Sequence, residues 1–408
     1  SLPLSGSSAC LKLSTRSVPL ALFRIAGDLC GMSADGIKIS ARSALNGERI
    51  IEEVTMPHGS RMGALKQEIS AAIGRPAGSL RIIVGTKGGF EDTWTIERAG
   101  IRHGTEVSVL WTEPGTLMAT GSSDKTAKCW NLRTGDCAGL FRGHLKAVTA
   151  VSLTQGAEFL ATGSVDCTVR LWDSSSGACL KTLRGHQRAL ASIAFSRDAK
   201  TFVTSSLDGL AKLWDVDGGT CTATFKGHRD ALTSASFAPD ERSLLTSAED
   251  CKVLLWDVET RQITRTLGID HFKLGVSSAS FSPDGNAIAA GSRGTSVTLL
   301  DTRAEGSIKT FDGHMRSLTS VVFSPDGNFI LSGSWDKTAK LWDTRTDQCL
   351  QTFTGHRLSV SSACFSLDGA SIFTGSFDKS GKMWDAQSGE CFRTVECHGD
   401  QVNSVSLA

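Results

Sequence analysis

From residue 116 to the C-terminus, short apolar runs alternate with polar turns, and the alternation keeps returning. Runs such as "LATGSVD" and "ILSGSWD" are rich in small and β-branched residues and are closed by Gly, Asp or Pro. They are too short for helices and predict β-strands joined by tight turns. "SPDG" at 282–285 and 324–327 marks two such turns. Residues 37–111 have another rhythm. "IKISARSALNGERIIEEVTM" predicts strand, Asn-Gly turn, strand. Leu65, Ile69 and Ile73 recur at helical spacing behind Ser60 as a cap, and Gly74 and Pro76 end the run. "SLRIIVG" and "TEVSVLW" add two more strands, so the predicted order is ββαββ.

The returning pattern has a fixed period. A His follows a turn at positions 144, 186, 228, 271, 314, 356 and 398, with spacings of 42 or 43 residues. Most of these His residues are followed 28 positions later by a Trp: Trp172, Trp214, Trp256 and Trp342 in "LWD", and Trp384 in "MWD". Internal repetition of this length implies stacked copies of one small β unit.

These landmarks resemble the WD-repeat family, whose signature pairs a GH with a WD dipeptide about 40 residues apart. The resemblance covers residues 113–408 and implies an all-β, seven-bladed β-propeller, each blade four strands around a central channel. It also implies a hydrogen-bonded tetrad in each blade: a His in the entering loop, a Ser or Thr on the second strand, an Asp in the next turn and a Trp on the third strand. The matching positions are His144, Thr162, Asp166 and Trp172; His186, Thr204, Asp208 and Trp214; and His228, Thr246, Asp250 and Trp256. Two more sets are His314, Ser332, Asp336 and Trp342, and His356, Thr374, Asp378 and Trp384. One repeat departs from the pattern. It keeps His271 but carries Ala290, Gly294 and Leu300 at the other three places, so its tetrad cannot form.

The first repeat has Thr120, Asp124 and Trp130 but no blade His in its own stretch, apart from the candidate His103. The last stops at "HGDQVNSVSLA". Aligning His398 on His144 sets Val402, Val405 and Leu407 on Val148, Val151 and Leu153, whereas His103 would set Glu106 on Val148. The C-terminus is therefore expected to supply the innermost strand of the first blade, which removes an exposed sheet edge.

The ββαββ segment resembles the ubiquitin-like superfold over about 75 residues, as a small α+β (β-grasp) domain at 37–111. It lacks a terminal Gly-Gly, so conjugation is not expected. The positions matching ubiquitin's apolar patch are Leu45, Ile82 and Leu110. Two readings stay open for them: a free partner-binding patch, or packing against the propeller. Residues 112–115, with Pro114, would form a short, stiff linker, and 116–408 the propeller. Residues 1–31 lack Met and hold one acid, Asp28. Either they are an Arg-bearing targeting peptide, or they lie outside the natural protein and Met32 is its start. Residues 1–36 are expected to be a disordered or non-native extension.

Net charge is +1, which gives no general pull toward nucleic acid or membrane. No run approaches membrane-spanning length. The twelve Cys contain no C-x-x-C pair, so no metal site is expected. Cys137, Cys179, Cys221, Cys349 and Cys391 recur at multiples of about 42 residues, each before a strand-like run, and are expected to be buried reduced thiols of a cytosolic or nuclear protein. Seven of the nine His are repeat positions, leaving His58 and His103, and no G-x-S-x-G, phosphate-loop or H-E-x-x-H motif occurs. No catalytic residues, cofactor or small-molecule substrate are expected.

The expected role is a scaffold or adaptor that docks proteins on the propeller's top face, built from residues that follow each His and precede each turn Asp. Of nine Trp, six hold the strand position, two lie in the small domain, and Trp335 alone has no structural duty. Trp335 and Phe377, with Arg316, Arg357 and Leu358 and an extension at Arg188 and Leu207, are the expected partner site. The competing reading is that Trp335 lies flat on the channel rim and only packs. A second function reading starts from "ILSGSWDKTAKLWDTR" at 330–345, which resembles the W-D-x-R box of substrate receptors of cullin–RING ubiquitin ligases, with Arg345 as the ligase-adaptor contact.

Overall fold

The computed structural model describes residues 37–43, 49–73, 80–84, 95–111, 117–268, 274–303 and 307–407. Two compact units are present, divided between Glu113 and Pro114. Residues 1–36, the 112–115 stretch, His271 and Leu45 lie outside the described residues.

The first unit is one mixed sheet and one helix. Strands β1 (Ile37–Ser43) and β2 (Arg49–Met56) form a hairpin, helix α1 spans Met62–Ile73, and β3 (Leu80–Ile83) and β4 (Thr105–Trp111) complete the order β2-β1-β4-β3. The central β1–β4 pair is parallel. The helix buries Met62, Leu65 and Ile69 on one side, as three- and four-residue spacing dictates. They meet Ile39, Ile51, Val54 and Val107 from the sheet. Ser60 stands ahead of the helix, and its hydroxyl donates to the Pro57 carbonyl rather than capping a helical N–H.

Among the described residues, the second unit carries seven four-stranded antiparallel sheets. We number them I to VII from the one holding Leu117–Ser122, so sheet II begins at Val148–Leu153, III at Leu190–Phe195, IV at Leu232–Phe237, V at Val276–Phe281, VI at Leu318–Phe323 and VII at Val360–Phe365. The inner strand of each sheet from II onward packs against the next, and Val402–Leu407 packs between sheets VII and II. That closes a ring: a β-propeller. Val402–Leu407 is the inner strand of sheet I, with Val402 opposite Ser122, Val405 opposite Thr120 and Leu407 opposite Met118. Sheet II repeats this register with Val148, Val151 and Leu153 opposite Ser164, Thr162 and Leu160.

The inner strands have one edge facing the channel, where backbone groups would lack ladder partners. Serines fill this need. The N–H of Ala235 donates to Ser192 Oγ (2.8 Å), that of Ala279 to Ser234 Oγ (3.1 Å), and that of Val321 to Ser278 Oγ (3.2 Å). The N–H of Val405 donates to Ser362 Oγ (3.2 Å), and that of Val151 to Ser404 Oγ (3.3 Å). Each bond ties one sheet to its neighbour. The channel cavity, about 740 Å³, is ringed at one end by Phe195, Phe237, Phe281, Phe323 and Phe365 with Leu153 and Leu407. All seven are the last residues of inner strands.

Sheets also meet through small residues on second strands. A Cβ on Gly375 would lie 2.6 Å from Val405 Cγ2 and 2.8 Å from Val402 Cγ1. Gly375→Val is therefore expected to wedge sheet VII away from the closing strand and cost about 1–3 kcal/mol, the usual range for overpacking. Gly399→Ala, where nothing lies within 4 Å of the new Cβ, serves as the control in the same thermal melts; equal midpoints for both variants would contradict the tight fit at 375.

The recurring cysteines differ from expectation. Cys137, Cys179, Cys221, Cys349 and Cys391 are free thiols but exposed. Each opens an outer strand, whose first positions face solvent while the fifth, such as Phe141 or Phe353, faces the core. The thiols burial does change are elsewhere: it pushes those of Cys364 and Cys397 up to about 12.

Candidate partner-docking face

Six sheets carry the same hydrogen-bonded four. In sheet VII, Trp384 Nε1–H donates to Thr374 Oγ1 (2.8 Å), Thr374 Oγ1 lies 2.8 Å from His356 Nε2, and His356 Nδ1 lies 2.9 Å from Asp378 Oδ2. An indole N–H can only donate, so the Thr hydroxyl hydrogen is left for His Nε2, and the imidazole then carries its proton on Nδ1, facing the carboxylate. This neutral arrangement satisfies all four groups. Burial holds the His356 pKa below its ordinary value, against the pull of Asp378. Sheet VI repeats the geometry with Trp342, Ser332, His314 and Asp336. Sheets II, III and IV repeat it with His144, Thr162, Asp166 and Trp172, with His186, Thr204, Asp208 and Trp214, and with His228, Thr246, Asp250 and Trp256.

In sheet I the His arrives from the far end of the chain. His398 Nδ1 lies 2.9 Å from Asp124 and its Nε2 2.9 Å from Thr120 Oγ1, which accepts from Trp130 (2.8 Å). Sheet V has no such set: Ala290 and Leu300 are buried in an apolar cluster with Val276 and Ile288, and the Gly294 N–H donates to Ser292 Oγ.

These fours do more than hold sheets together. Each Asp also accepts from the backbone N–H after the His, such as Met315 N (3.0 Å) and Arg357 N (2.9 Å), which pins the entering loop. Burial alone would raise the Asp378 pKa, but the Ser380 hydroxyl, the Arg357 N–H and His356 hold it down at about 2. The residue before each Asp donates its N–H to the same loop: Trp335 to Ser317 O (2.9 Å) and Phe377 to Ser359 O (3.0 Å). The residue after each Asp is left-handed, with φ of 73° at both Lys337 and Lys379. Loop and turn are thus fixed to each other at one end of each sheet that carries a four. That end, where the His loops lie, is the face expected from the sequence.

Trp335 is 48% exposed and meets Phe377 of the next sheet edge-on, ring centroids 5.7 Å apart at 90°. Arg316, Arg357 and Leu358 are exposed beside it. Met315, 88% exposed, belongs to the same loop as Arg316 and was not singled out by the sequence, although its place directly after His314 was the signal.

Arg188 and Leu207 do not join this group. They are partnered with each other through Arg188 Nη1 and the Leu207 carbonyl (3.1 Å). They belong to sheet III, which neighbours sheets II and IV. Ring order follows chain order, so two sheets separate them from sheet VI. Arg345 lies at the opposite end of sheet VI from Trp335, in the turn after Ala339–Asp343. Its guanidinium donates to Asn328 Oδ1 (2.8 Å). Ile82 is 3% exposed and sits in the core of the first unit. It therefore presents no surface patch; the side chain of Leu110, like Leu45, lies outside the described residues.

Among the described residues no group of three or more His, Cys, Asp or Glu could hold a metal ion, and no helix is long and apolar enough to cross a membrane.

A family model described as the IFT122 first beta-propeller matches residues 154–408. One described as WD domain, G-beta repeat matches 98–131. The second takes 98–131 as a single repeat, yet Thr105–Trp111 pairs with β1 and β3, while Val402–Leu407 fills the inner place beside Leu117–Ser122. Over 42 residues, 10% of this chain, it is 40% identical to WD repeat-containing protein pop1 of Schizosaccharomyces pombe, covering 5% of that protein. Over 124 residues, 29% of this chain, it is 26% identical to myosin heavy chain kinase C of Dictyostelium discoideum, covering 16% of it. The matches thus span a small part of either relative. A single family model covers more than half of the sequence, and the hydrogen-bonded fours recur through the matched region; the chain belongs to the WD-repeat β-propellers, in the family of the IFT122 first beta-propeller.

Proposed function

We propose that this protein is a docking scaffold whose partners bind the His-loop face of sheets VI and VII. WD-repeat propellers generally serve as non-enzymatic scaffolds that bind other proteins. The observation that carries the reading is Trp335: half exposed, in edge-to-face contact with Phe377, on a turn fixed by the four of His314 and Asp336. A large exposed aromatic beside Arg316 and Arg357 has the make-up of a binding hot spot. Taking each four-stranded sheet as one blade gives a seven-bladed propeller, with sheet V held by apolar packing. The mixed sheet of the first unit, with its parallel central pair and one helix, supports reading residues 37–111 as a ubiquitin-like fold. Quantitative affinity capture with the full chain and with Trp335→Ala tests the proposal. The main partner should drop out of the variant's captures; identical protein sets for both would sink it.

A second reading, substrate receptor of a cullin–RING ligase, is favoured by one observation. Arg345 is exposed, braced by Asn328, at the end of sheet VI away from Trp335. A ligase adaptor and a substrate could then bind opposite faces. Loss of adaptor capture on Arg345→Ala, with Trp335-dependent partners retained, would support it.

A further inference from the structure

Within the segments that frame Trp335 the exposed charges are basic. The exposed acids Asp312 and Asp400 lie just outside them, Asp400 beside the Gly399 carbonyl that Lys379 Nζ donates to. The four segments that frame the aromatic pair read "HMRS", "WDKT", "HRLS" and "FDKS". Arg316, Lys337, Arg357 and Lys379 are all exposed. The only acids in these segments are Asp336 and Asp378, and both are used up. Asp336 accepts from His314, the Met315 N–H, the Thr338 N–H and the Thr338 hydroxyl. Asp378 accepts from His356, the Arg357 N–H, the Ser380 N–H and the Ser380 hydroxyl. Their lone pairs are turned inward, so the cations above them are not paired by their own loops. Among the described residues Arg316, Lys337 and Arg357 make no ion pair, whereas Arg293 on sheet V pairs with Glu249. The chain as a whole carries only +1, so this concentration is local.

An unpaired cation beside an exposed aromatic is hydrated in the free protein and gains when an anion is brought to it with an apolar neighbour that shields the pair from water. Each cation comes from a separate loop, and they frame a partly exposed aromatic pair. Separate single charges suit several carboxylates along an extended segment. Arginine forks receive carboxylates in two parallel hydrogen bonds. We propose that the occupant of this face is a peptide segment of a partner protein in which acidic residues flank an apolar side chain, the apolar group seated on Trp335 and Phe377 and the carboxylates on Arg316 and Arg357. This rests on the docking reading above.

Selection of a displayed random twelve-residue peptide library on the immobilised full chain tests it, with the best peptides then resynthesised and titrated. The selected peptides should be rich in Asp and Glu around Leu, Phe or Trp. Their affinity should fall at least tenfold on Arg316→Glu/Arg357→Glu, and fall as salt is raised from 50 to 300 mM. The inference is overturned by a library that yields no binder, by neutral or basic selected peptides, by an effect of the double variant below twofold, or by binding that requires a phosphorylated residue. Trp335→Ala separates the two levels. Neutral peptides that still need Trp335 would leave the docking face standing and remove only its acidic chemistry. Selected peptides that bind Trp335→Ala undiminished would remove the face itself.

Discussion

Deleting residues 398–408 should lower the stability of the second unit by several kcal/mol. The segment contributes Val402 and Val405, both buried, and burying one such side chain is worth about 1.5–3 kcal/mol. It contributes His398, whose loss leaves Thr120 and Asp124 facing an empty site. Its strand also joins three sheets at once. It pairs with Leu117–Ser122, the Val151 N–H donates to Ser404 Oγ, and Ser361 Oγ donates to the Val402 carbonyl. The exposed edge and the unpartnered buried polar groups add to the loss. The melting midpoint should drop by about 5–10 °C. An unchanged midpoint would mean that another strand occupies the inner place of sheet I.

Acid should loosen the ring well before its carboxylates titrate. The His residues at 144, 186, 228, 314, 356 and 398 all have pKa values held below the ordinary 6.5, in each case first by burial. In the unfolded chain they take up protons as pH falls through about 6.5, while in the folded chain they do so only lower. Stability from this source is therefore complete above pH 6.5 and is lost as pH falls below it. Each proton bound by the unfolded state alone costs about 1.4 kcal/mol per pH unit. Six such sites together set an upper slope of about 8 kcal/mol per unit. The aspartates act in the same direction at lower pH. Asp166 and Asp378, held at about 2 against an ordinary 3.8, favour folding above 3.8 and lose that contribution as pH falls toward 2. Thermal melts should show a midpoint that holds from pH 7.5 to about 6.5 and falls from there to pH 5.5; a flat profile down to 5.5 would contradict neutral, buried imidazoles.

What could be read from the sequence is what chemistry forces to repeat. A His, an Asp and a Trp that must satisfy one another recur at fixed spacing, so their partners follow from the numbering. The closing strand was legible because Val402 and Val405 repeat the apolar places of Val148 and Val151. Other features left no distinctive trace. Serine reads as a turn former, so the hydroxyls that tie neighbouring inner strands could not be told from loop residues. The recurring cysteines share a position with strand-like apolar neighbours, but the sequence does not show that the fourth strand is outermost. Arg188 and Leu207 fit the face position by spacing, yet only ring order shows that two sheets separate them from Trp335. Ile82 matched a surface position by resemblance, while its own strand turns it into the core.

The docking claim is tested most directly by titrating the main captured partner against the full chain and against Trp335→Ala, with a thermal melt of each. The account predicts that the variant keeps its melting midpoint and binds about 30-fold or more weaker, the equivalent of about 2 kcal/mol. Equal affinity in an equally stable variant would contradict it.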